Sequence, residues 1–294
     1  MPVIDNLKAF AARNPVVKTV LYPAFELRRR ILTANRARYE RLLANLSGRL
    51  AESPVLHVPE FDGFFEMDAR SDLLERFLID NEYEPELVAI CREHVDASRD
   101  VVDVGANIGL YAVFFASLVE SGRVLAVEPT PNALARLRAN LDRNGVTERV
   151  QVFPGVCSDR EGTFQIKSVA GKEEYSSLGE MEHPRIGDDA WTTTEVPGKT
   201  LDGLIADHGL SPGFVKVDVE GMEHVVFAGA DEVLSTHRPV ILSELSDYLL
   251  RRNGSSAAAV MARIASFDYE IVDPVHAGAK PGRGDFGDIL CLPR

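Results

Sequence analysis

VVDVGANIGLYAVFFA, residues 101–116, begins as an apolar run and ends as a helix-forming segment, with Gly105, Asn107 and Gly109 between the two. The first half predicts a buried strand and the second half a helix. Glycines in such a turn let the backbone approach a ligand closely, and the helix N-terminus offers N–H groups and a positive dipole. The stretch is therefore typical of the first strand, turn and helix of an open α/β sheet.

Alternation of strand and helix continues toward the C-terminus. Apolar runs such as RVLAVEP (123–129), GFVKVDV (213–219) and RPVILSEL (238–245) predict strands, with helical segments between them. EGMEHVVFAGADEVLST (220–236) predicts one helix, whereas SSLGEMEHPRIGDDAWTTT (176–194) is loop-like. Such alternation implies an α/β fold with a mostly parallel, doubly wound sheet that binds ligands beyond the carboxyl ends of its strands.

Composition and charge limit the class of protein. The 294 residues are 45% hydrophobic and 26% charged, as in ordinary globular proteins. No apolar run reaches about 18 residues, so no membrane span is predicted. Three scattered cysteines predict neither a disulfide framework nor a zinc site, and they favour a cytoplasmic location. The net charge of −13 argues against nucleic-acid binding.

We expect three regions along the chain. Residues 1–52 form a basic helical arm, because the first 50 residues hold ten Lys or Arg against three Asp or Glu. A solvated basic face, a homodimer contact and an anionic surface are the alternatives for this arm. Residues 53–99 contain a hairpin that turns near Asp62-Gly63 and two helices that pack on the core. Residues 100–294 form the core.

A ribose-bearing ligand is predicted from the spacing of the glycine turn and an acid. Glu128 ends the second core strand, 23 residues after Gly105. A carboxylate there can accept hydrogen bonds from both ribose hydroxyls, and Asp103 can reach a cationic group. The turn lacks the middle glycine of a dinucleotide fingerprint. S-adenosylmethionine, which combines adenosine with a sulfonium cation, therefore fits better than a dinucleotide.

Several separated segments resemble those of FkbM-type methyltransferases and occur in the same order. They are VVDVGANIGLYAVFFA, AVEPTPNALARLRANL, SSL, TLD, VKVDVEGMEHVVFAGA and RPVILSEL, with YEPEL upstream. The resemblance covers roughly residues 55–290. It implies a Rossmann-like class I fold and S-adenosylmethionine-dependent methylation of hydroxyls on sugars, glycolipids or polyketides. By position, it implies that the cofactor is bound by Glu84, Asp103, Gly105, Asn107, Glu128, Val156 and Asp159.

Acidic residues at the ends of two later strands predict the acceptor side. Asp218 and Glu244 should be neighbours at the carboxyl edge of the sheet, where two carboxylates could hold Mg²⁺. Alternatively, one of them acts as a general base. Glu220 and His224, four residues apart on one helix face, are further catalytic candidates. Asp218 and Glu220 could instead only cap the helix.

The long polar loop predicts contacts with the acceptor. Tyr175 and Trp191 could stack on a sugar face, and Ser177 belongs to the SSL segment of the resemblance. The sequence thus predicts an O-methyltransferase for a small-molecule or oligosaccharide hydroxyl, with a role for Mg²⁺ left open. A nucleotide-sugar oxidoreductase or transferase and a non-catalytic binding module are the alternatives.

Overall fold

A computed structural model describes residues 53–80, 82–169, 191–275 and 286–294. The predicted basic arm, residues 1–52, lies outside them. Within the described part of the chain, no helix is both long and apolar enough to cross a membrane.

The region before the core is a hairpin followed by two helices. Its elements are β1 (Val55–Val58), β2 (Gly63–Glu66), α1 (Asp72–Asp80) and α2 (Pro85–His94). The predicted hairpin is confirmed, with Asp62 in the left-handed region at φ 50° and β1 antiparallel to β2. The Ser71 hydroxyl accepts the Leu74 N–H at 3.1 Å and so caps α1.

The core alternates strands and helices, as predicted. Its first half comprises β3 (Asp100–Val104), α3 (Leu110–Leu118), β4 (Val124–Val127), α4 (Pro131–Arg143), β5 (Val150–Phe153), β6 (Val156–Cys157) and β7 (Gly162–Val169). The second half comprises β8 (Trp191–Lys199), α5 (Leu201–His208), β9 (Pro212–Val217), α6 (Glu223–Ala228), β10 (Val240–Ser246), α7 (Asp247–Arg252), α8 (Ala257–Ala265), β11 (Tyr269–Val272) and β12 (Phe286–Pro293).

Seven strands form the central sheet in the order β11-β12-β10-β9-β3-β4-β5. The pairings from β10 to β5 are parallel, and β12 is antiparallel to both of its neighbours. The chain runs from β3 outward to β5 and then returns to place β9 on the other side of β3. This reversal is a topological switch point, which is where open α/β sheets bind ligands. The predicted Rossmann-like, doubly wound fold is confirmed.

Residues of the buried strands alternate between the two faces of this sheet. Val101 packs in one apolar cluster with α3 and the N-terminal hairpin, whereas Val102 packs in a second cluster with α5 and α6. The strands read as continuous apolar runs because both faces are covered.

Side-chain amides at the end of α4, from Asn140 and from Asn144 directly after the helix, attach the N-terminal hairpin to the core. Asn140 accepts the Glu66 N–H at 2.7 Å and donates to the Glu66 carbonyl at 3.2 Å. Asn144 makes the same pair of bonds with the Phe64 backbone, at 2.8 and 2.9 Å. Asn140 also donates to the Ile108 carbonyl at 2.8 Å, which links the hairpin to the turn after β3.

Two predicted segments differ from the structure. The single helix predicted over 220–236 is wrong, because α6 ends at Ala228 and a separate π-helical turn spans Val233–His237. The segment at 191–194 was predicted as loop, yet it begins β8, which pairs with β7 in a separate three-stranded sheet.

Candidate active site

A cavity of about 170 Å³ lies at the carboxyl end of the parallel strands. The turns after β3, β4 and β9 line it, together with α1 and the residues just before α2. The cavity is therefore at the switch point of the sheet, where the sequence predicts a ligand.

The turn after β3 contains three residues in the left-handed region: Gly105 at φ 85°, Asn107 at 49° and Gly109 at 91°. A Cβ atom on Gly105 would lie 1.9 Å from the Asp218 carbonyl oxygen, and one on Gly109 would lie 2.5 Å from a Leu137 methyl group. The expectation that a ligand requires these glycines is therefore corrected. The protein's own backbone already excludes a larger side chain at Gly105, and the left-handed φ together with the Leu137 methyl group disfavours one at Gly109.

Glu128 follows β4, lines the cavity and is only 4% exposed. One carboxylate oxygen accepts the Asn107 N–H at 2.9 Å. The other accepts the Thr130 N–H at 2.8 Å and the Thr130 hydroxyl at 2.6 Å. Burial raises the pKa of Glu128 to about 7, although these hydrogen bonds act in the opposite direction. Glu128 thus joins the turns after β3 and β4 at the predicted ribose position.

Asp103 lies inside β3, is 0% exposed and lines the cavity. Neither carboxylate oxygen has a hydrogen-bond partner among the described residues. Burial raises the pKa of Asp103 to about 6, with Lys216 opposing the shift and Asp218 adding to it. An unsatisfied buried polar group costs ~1–3 kcal/mol, and more when it is charged. This carboxylate therefore fits a cationic ligand, such as the ammonium or sulfonium group of S-adenosylmethionine.

The residues after β5 border an apolar part of the cavity. Gly155, Val156 and Cys157 line it together with Ile166 of β7, an arrangement that suits a flat ring. Asp159 is not among the lining residues; it pairs with Arg160 at 3.0 Å, with 43% of its side chain exposed. Of the two residues after β5 that the resemblance predicts to bind the cofactor, Val156 and Asp159, the structure brings only Val156 to the cavity.

Acidic side chains line the opposite part of the cavity. Asp218 follows β9, Glu244 lies in β10, and both line the cavity with Glu84 and Glu220. Burial raises the pKa of Glu244 well above its ordinary range, and the neighbouring carboxylates Asp218 and Glu220 add to the shift. Glu84 lies in the left-handed region at φ 49° and accepts the Tyr111 hydroxyl at 2.8 Å.

Lys216 is a candidate that the sequence prediction missed. Its Nζ atom donates to an Asp218 carboxylate oxygen at 3.0 Å and lies 4.5 Å from the centre of the Tyr111 ring. The Lys216 side chain is 7% exposed and that of Asp218 is 31% exposed. A single lysine in the apolar run GFVKVDV was the available signal. Its acidic neighbour Asp103 comes from another strand, which the run itself does not reveal.

The structure does not support the Mg²⁺ site predicted at Asp218 and Glu244. Over the described ranges, no group of three or more His, Cys, Asp or Glu side chains is arranged to hold a metal ion. One Asp218 oxygen already accepts a hydrogen bond from the Lys216 ammonium.

The turn between β9 and α6 corrects a second prediction. Glu220 and His224 do not share a helix face, because α6 begins at Glu223 and Glu220 lies before it at φ 49°. Within the described part of the chain, no side chain caps this helix. His224 is not among the residues lining the cavity, and burial lowers its pKa. Glu223 is buried and accepts the Gly221 N–H at 3.1 Å, so it holds the turn that presents Glu220.

Of the three residues predicted to contact the acceptor, the structure describes only Trp191. Tyr175 and Ser177 lie outside the described residues. Trp191 begins β8, is 37% exposed and is not among the residues that line the cavity.

Comparison with known proteins places this site in a family. The methyltransferase FkbM domain matches residues 103–271, which is more than half of the chain. The 2-O-methyltransferase NoeI of Sinorhizobium fredii is 28% identical over 65% of this chain and 77% of its own length. The 31-O-demethyl-FK506 methyltransferase FkbM of Streptomyces tacrolimicus is 29% identical over 61% of this chain and 77% of its own length.

One solved structure is also similar. Methyltransferase FkbM from Methylobacillus flagellatus KT is 22% identical, with a TM-score of 0.45 over 66% of this chain and 43% of that chain. The family match confirms the prediction of a methyltransferase that uses S-adenosylmethionine. The protein belongs to the FkbM methyltransferase family.

Proposed function

We propose that this chain transfers a methyl group from S-adenosylmethionine to a hydroxyl of a sugar, oligosaccharide, glycolipid or polyketide-like acceptor. The proposal is supported by one cavity that joins the Asp103 carboxylate to the acidic side chains around Asp218. Among the described residues, this Asp103 carboxylate has no hydrogen-bond partner. Two relatives support oxygen as the methylated atom, since one is named a 2-O-methyltransferase and the other a 31-O-demethyl-FK506 methyltransferase.

In this proposal the cofactor lies along the turns after β3, β4 and β5. Asp103 faces its positive charge, Glu128 accepts its ribose hydroxyls, and Val156 contacts its adenine. The backbone around Gly105 and Asn107 borders the methionine end, and Glu84 lies at the boundary with the acceptor. All of these residues line the same cavity.

The acceptor hydroxyl is placed beside Asp218. S-adenosylmethionine supplies an activated methyl group, so the protein mainly has to orient the two reactants and exclude water. Asp218 accepts the hydroxyl proton on a carboxylate oxygen as the acceptor oxygen bonds to the methyl group and the bond from sulfur to that methyl group breaks, which leaves S-adenosylhomocysteine. Lys216 holds the other oxygen of this carboxylate, which fixes its direction. Glu220 and Glu244 are within the same part of the cavity and bind the remaining hydroxyls of the acceptor.

The charge of this part of the cavity favours a neutral acceptor. Glu84, Asp218, Glu220 and Glu244 line it, and Lys216 supplies a positive charge beside Asp218. Carboxylate or phosphate groups next to the reacting hydroxyl would meet like charges, whereas neutral hydroxyls can donate hydrogen bonds to these oxygens. We therefore propose a polyol or neutral sugar rather than an anionic one.

A screen of hydroxyl acceptors tests the proposal, with release of S-adenosylhomocysteine as the readout. Isothermal titration with S-adenosylmethionine comes first, and we expect one site per chain. Asp218→Asn should keep cofactor affinity and lose turnover by about 100-fold or more, as expected for a general base. Asp103→Asn should weaken cofactor binding instead.

Two results would contradict the proposal. If the chain shows no cofactor binding at millimolar concentration, the cavity is not a methyl-donor site. If Asp218→Asn retains full turnover on an acceptor found in the screen, another residue accepts the proton.

A further inference from the structure

Lys216 is a charged residue near the carboxyl end of the buried strand β9. Its neighbours in β9 are apolar and buried, and its side chain is 7% exposed. A buried ammonium group is unfavourable unless anions accompany it. Its position therefore needs a reason beyond packing.

The anions around Lys216 come from three different parts of the chain. Asp218 accepts its hydrogen bond at 3.0 Å, and Asp103 is its register partner on the neighbouring strand β3. Burial lowers the pKa of Lys216, but the charges of Asp218, Asp103 and Glu84 outweigh this effect and raise it above its ordinary value. These anions therefore favour the charged form of the ammonium group, which contacts the face of the Tyr111 ring.

Lys216 lies between the part of the cavity proposed to bind the cofactor and the part proposed to bind the acceptor. Asp103 belongs to the cofactor part and Asp218 to the acceptor part. A second, smaller cavity next to the main one is lined by Lys216, Asp218, Glu244 and Glu84. A divalent cation bound to Asp218 and Glu244 would have to lie beside this ammonium group, where repulsion between like charges opposes its binding.

We propose that the Lys216 ammonium is the built-in cation of the active site, a positioning residue that fixes the Asp218 carboxylate and takes the charge-balancing place that Mg²⁺ would take in the metal alternative. This inference rests on the proposed function for the role of Asp218. The metal half of the inference, namely that no Mg²⁺ binds at Asp218 and Glu244, does not rest on the proposed function, because the binding of a metal ion is measured without an acceptor.

Three variants test the role of Lys216. Lys216→Met keeps an unbranched side chain, one atom shorter, and removes its charge, whereas Lys216→Arg keeps the charge. Lys199→Met is the matched control, since Lys199 forms an ion pair with Asp207 at the surface. We expect Lys216→Met to lower kcat by about 100-fold, in line with the loss of a fixed electrostatic group, with S-adenosylhomocysteine affinity within about threefold of the parent. Lys216→Arg should restore part of kcat, and Lys199→Met should leave it unchanged.

The metal half is tested on the unmodified protein. Mn²⁺ is titrated into the chain with and without S-adenosylhomocysteine, and free Mn²⁺ is measured by electron paramagnetic resonance. We expect no stoichiometric Mn²⁺ binding and no effect of EDTA on turnover. One bound Mn²⁺ per chain together with EDTA-sensitive turnover would overturn the inference, as would full kcat in Lys216→Met. Should Lys216→Met fail to fold, the Mn²⁺ titration and Lys216→Arg still decide it.

These experiments distinguish a failure of the inference about Lys216 from a failure of the proposed function. If the acceptor screen yields no turnover with the unmodified chain, the proposed function fails while the Mn²⁺ titration still tests the metal half. If turnover occurs and stoichiometric Mn²⁺ supports it, the proposed function stands and only the inference about Lys216 fails.

Discussion

Gly105 and Asp218 are in backbone contact: a Cβ atom on Gly105 would lie 1.9 Å from the Asp218 carbonyl oxygen. The Asp218 N–H also donates to the Val104 carbonyl at 3.0 Å, so the two turns are joined on both sides of this contact. The turn proposed to hold the cofactor and the turn proposed to hold the acceptor are therefore fixed against each other. A change at Gly105 should alter both.

Because of this contact, we expect Gly105→Ala to lower the free energy of unfolding by more than the left-handed backbone conformation alone would. Gly254 is the matched control, because its φ of +80° is close to the +85° of Gly105 while no atom of the described residues lies within 4 Å of its Cβ position. We expect Gly254→Ala to lower the free energy of unfolding by ~1 kcal/mol. Gly105→Ala should cost at least ~2 kcal/mol more. Equal losses in denaturant titrations of the two variants would contradict the importance of the contact.

The raised pKa of Asp103, about 6, predicts that cofactor affinity depends on pH. A cation binds the ionised carboxylate, so affinity should rise with pH and become about tenfold weaker at pH 5 than at pH 7. Isothermal titration with S-adenosylmethionine measures this, and Asp103→Asn should flatten the dependence. A flat profile in the unmodified chain would show that Asp103 does not face the positive charge.

The raised pKa of Asp103 has the opposite effect on the stability of the cofactor-free chain, which should decrease as pH rises. The folded-state pKa of Asp103 lies above its ordinary value of 3.8, so the folded state holds the proton more tightly. The free energy of unfolding should therefore fall as pH rises from about 4 to about 6. Glu128, with a pKa of about 7, extends this fall toward neutral pH. Melting temperatures with and without S-adenosylhomocysteine should diverge across this window.

Glu223 is predicted to be a stability determinant of the turn that presents Glu220. It is buried and its carboxylate accepts the Gly221 N–H, so Glu223→Ala leaves that donor unsatisfied. We expect a loss of ~2–3 kcal/mol in the free energy of unfolding. The exposed Glu232 provides the control, and Glu232→Ala should change stability by less than ~0.5 kcal/mol. A similar melting temperature for both variants would contradict the prediction.

Asn140 of α4 and Asn144, which directly follows this helix, should differ in importance. Asn140 is fully buried and bonds to the backbone of Glu66 and Ile108, whereas water can replace the exposed bonds of Asn144 to Phe64. Asn140→Ala should cost ~2–3 kcal/mol and Asn144→Ala ~1 kcal/mol or less. Because Ile108 lines the cavity, only Asn140→Ala should also weaken S-adenosylhomocysteine binding. Equal effects on binding would show that the link from the hairpin to the cavity is not functional.

Local patterns predicted much of this fold correctly. The strand, turn and helix around Gly105 could be predicted because a buried strand, a left-handed turn and a helix each have a characteristic local sequence pattern. The positions of Asp103 and Glu128 followed from the same reasoning, since the ends of neighbouring parallel strands meet at one edge.

Features that depend on contacts between residues distant in the chain could not be predicted from local sequence patterns. The helix predicted over 220–236 is interrupted where a Cβ atom on Gly229 would lie 2.4 Å from the Ser158 carbonyl oxygen. Asp202 then accepts the N–H groups of Glu232 and Val233 and stabilises a new helical turn. Lys216 was missed for a similar reason, because the identity of its acidic neighbours depends on strand register.

The bonds of Asn140 and Asn144 have a consequence for β2 beyond stability. The two amides are one helical turn apart and meet the backbone groups of Glu66 and Phe64, which are two strand residues apart, so α4 acts as a substitute for a neighbouring strand. A two-stranded ribbon with this edge open would be a template for strands of other molecules, the first step toward aggregation. By occupying these donors and acceptors, the helix shields the hairpin from intermolecular pairing.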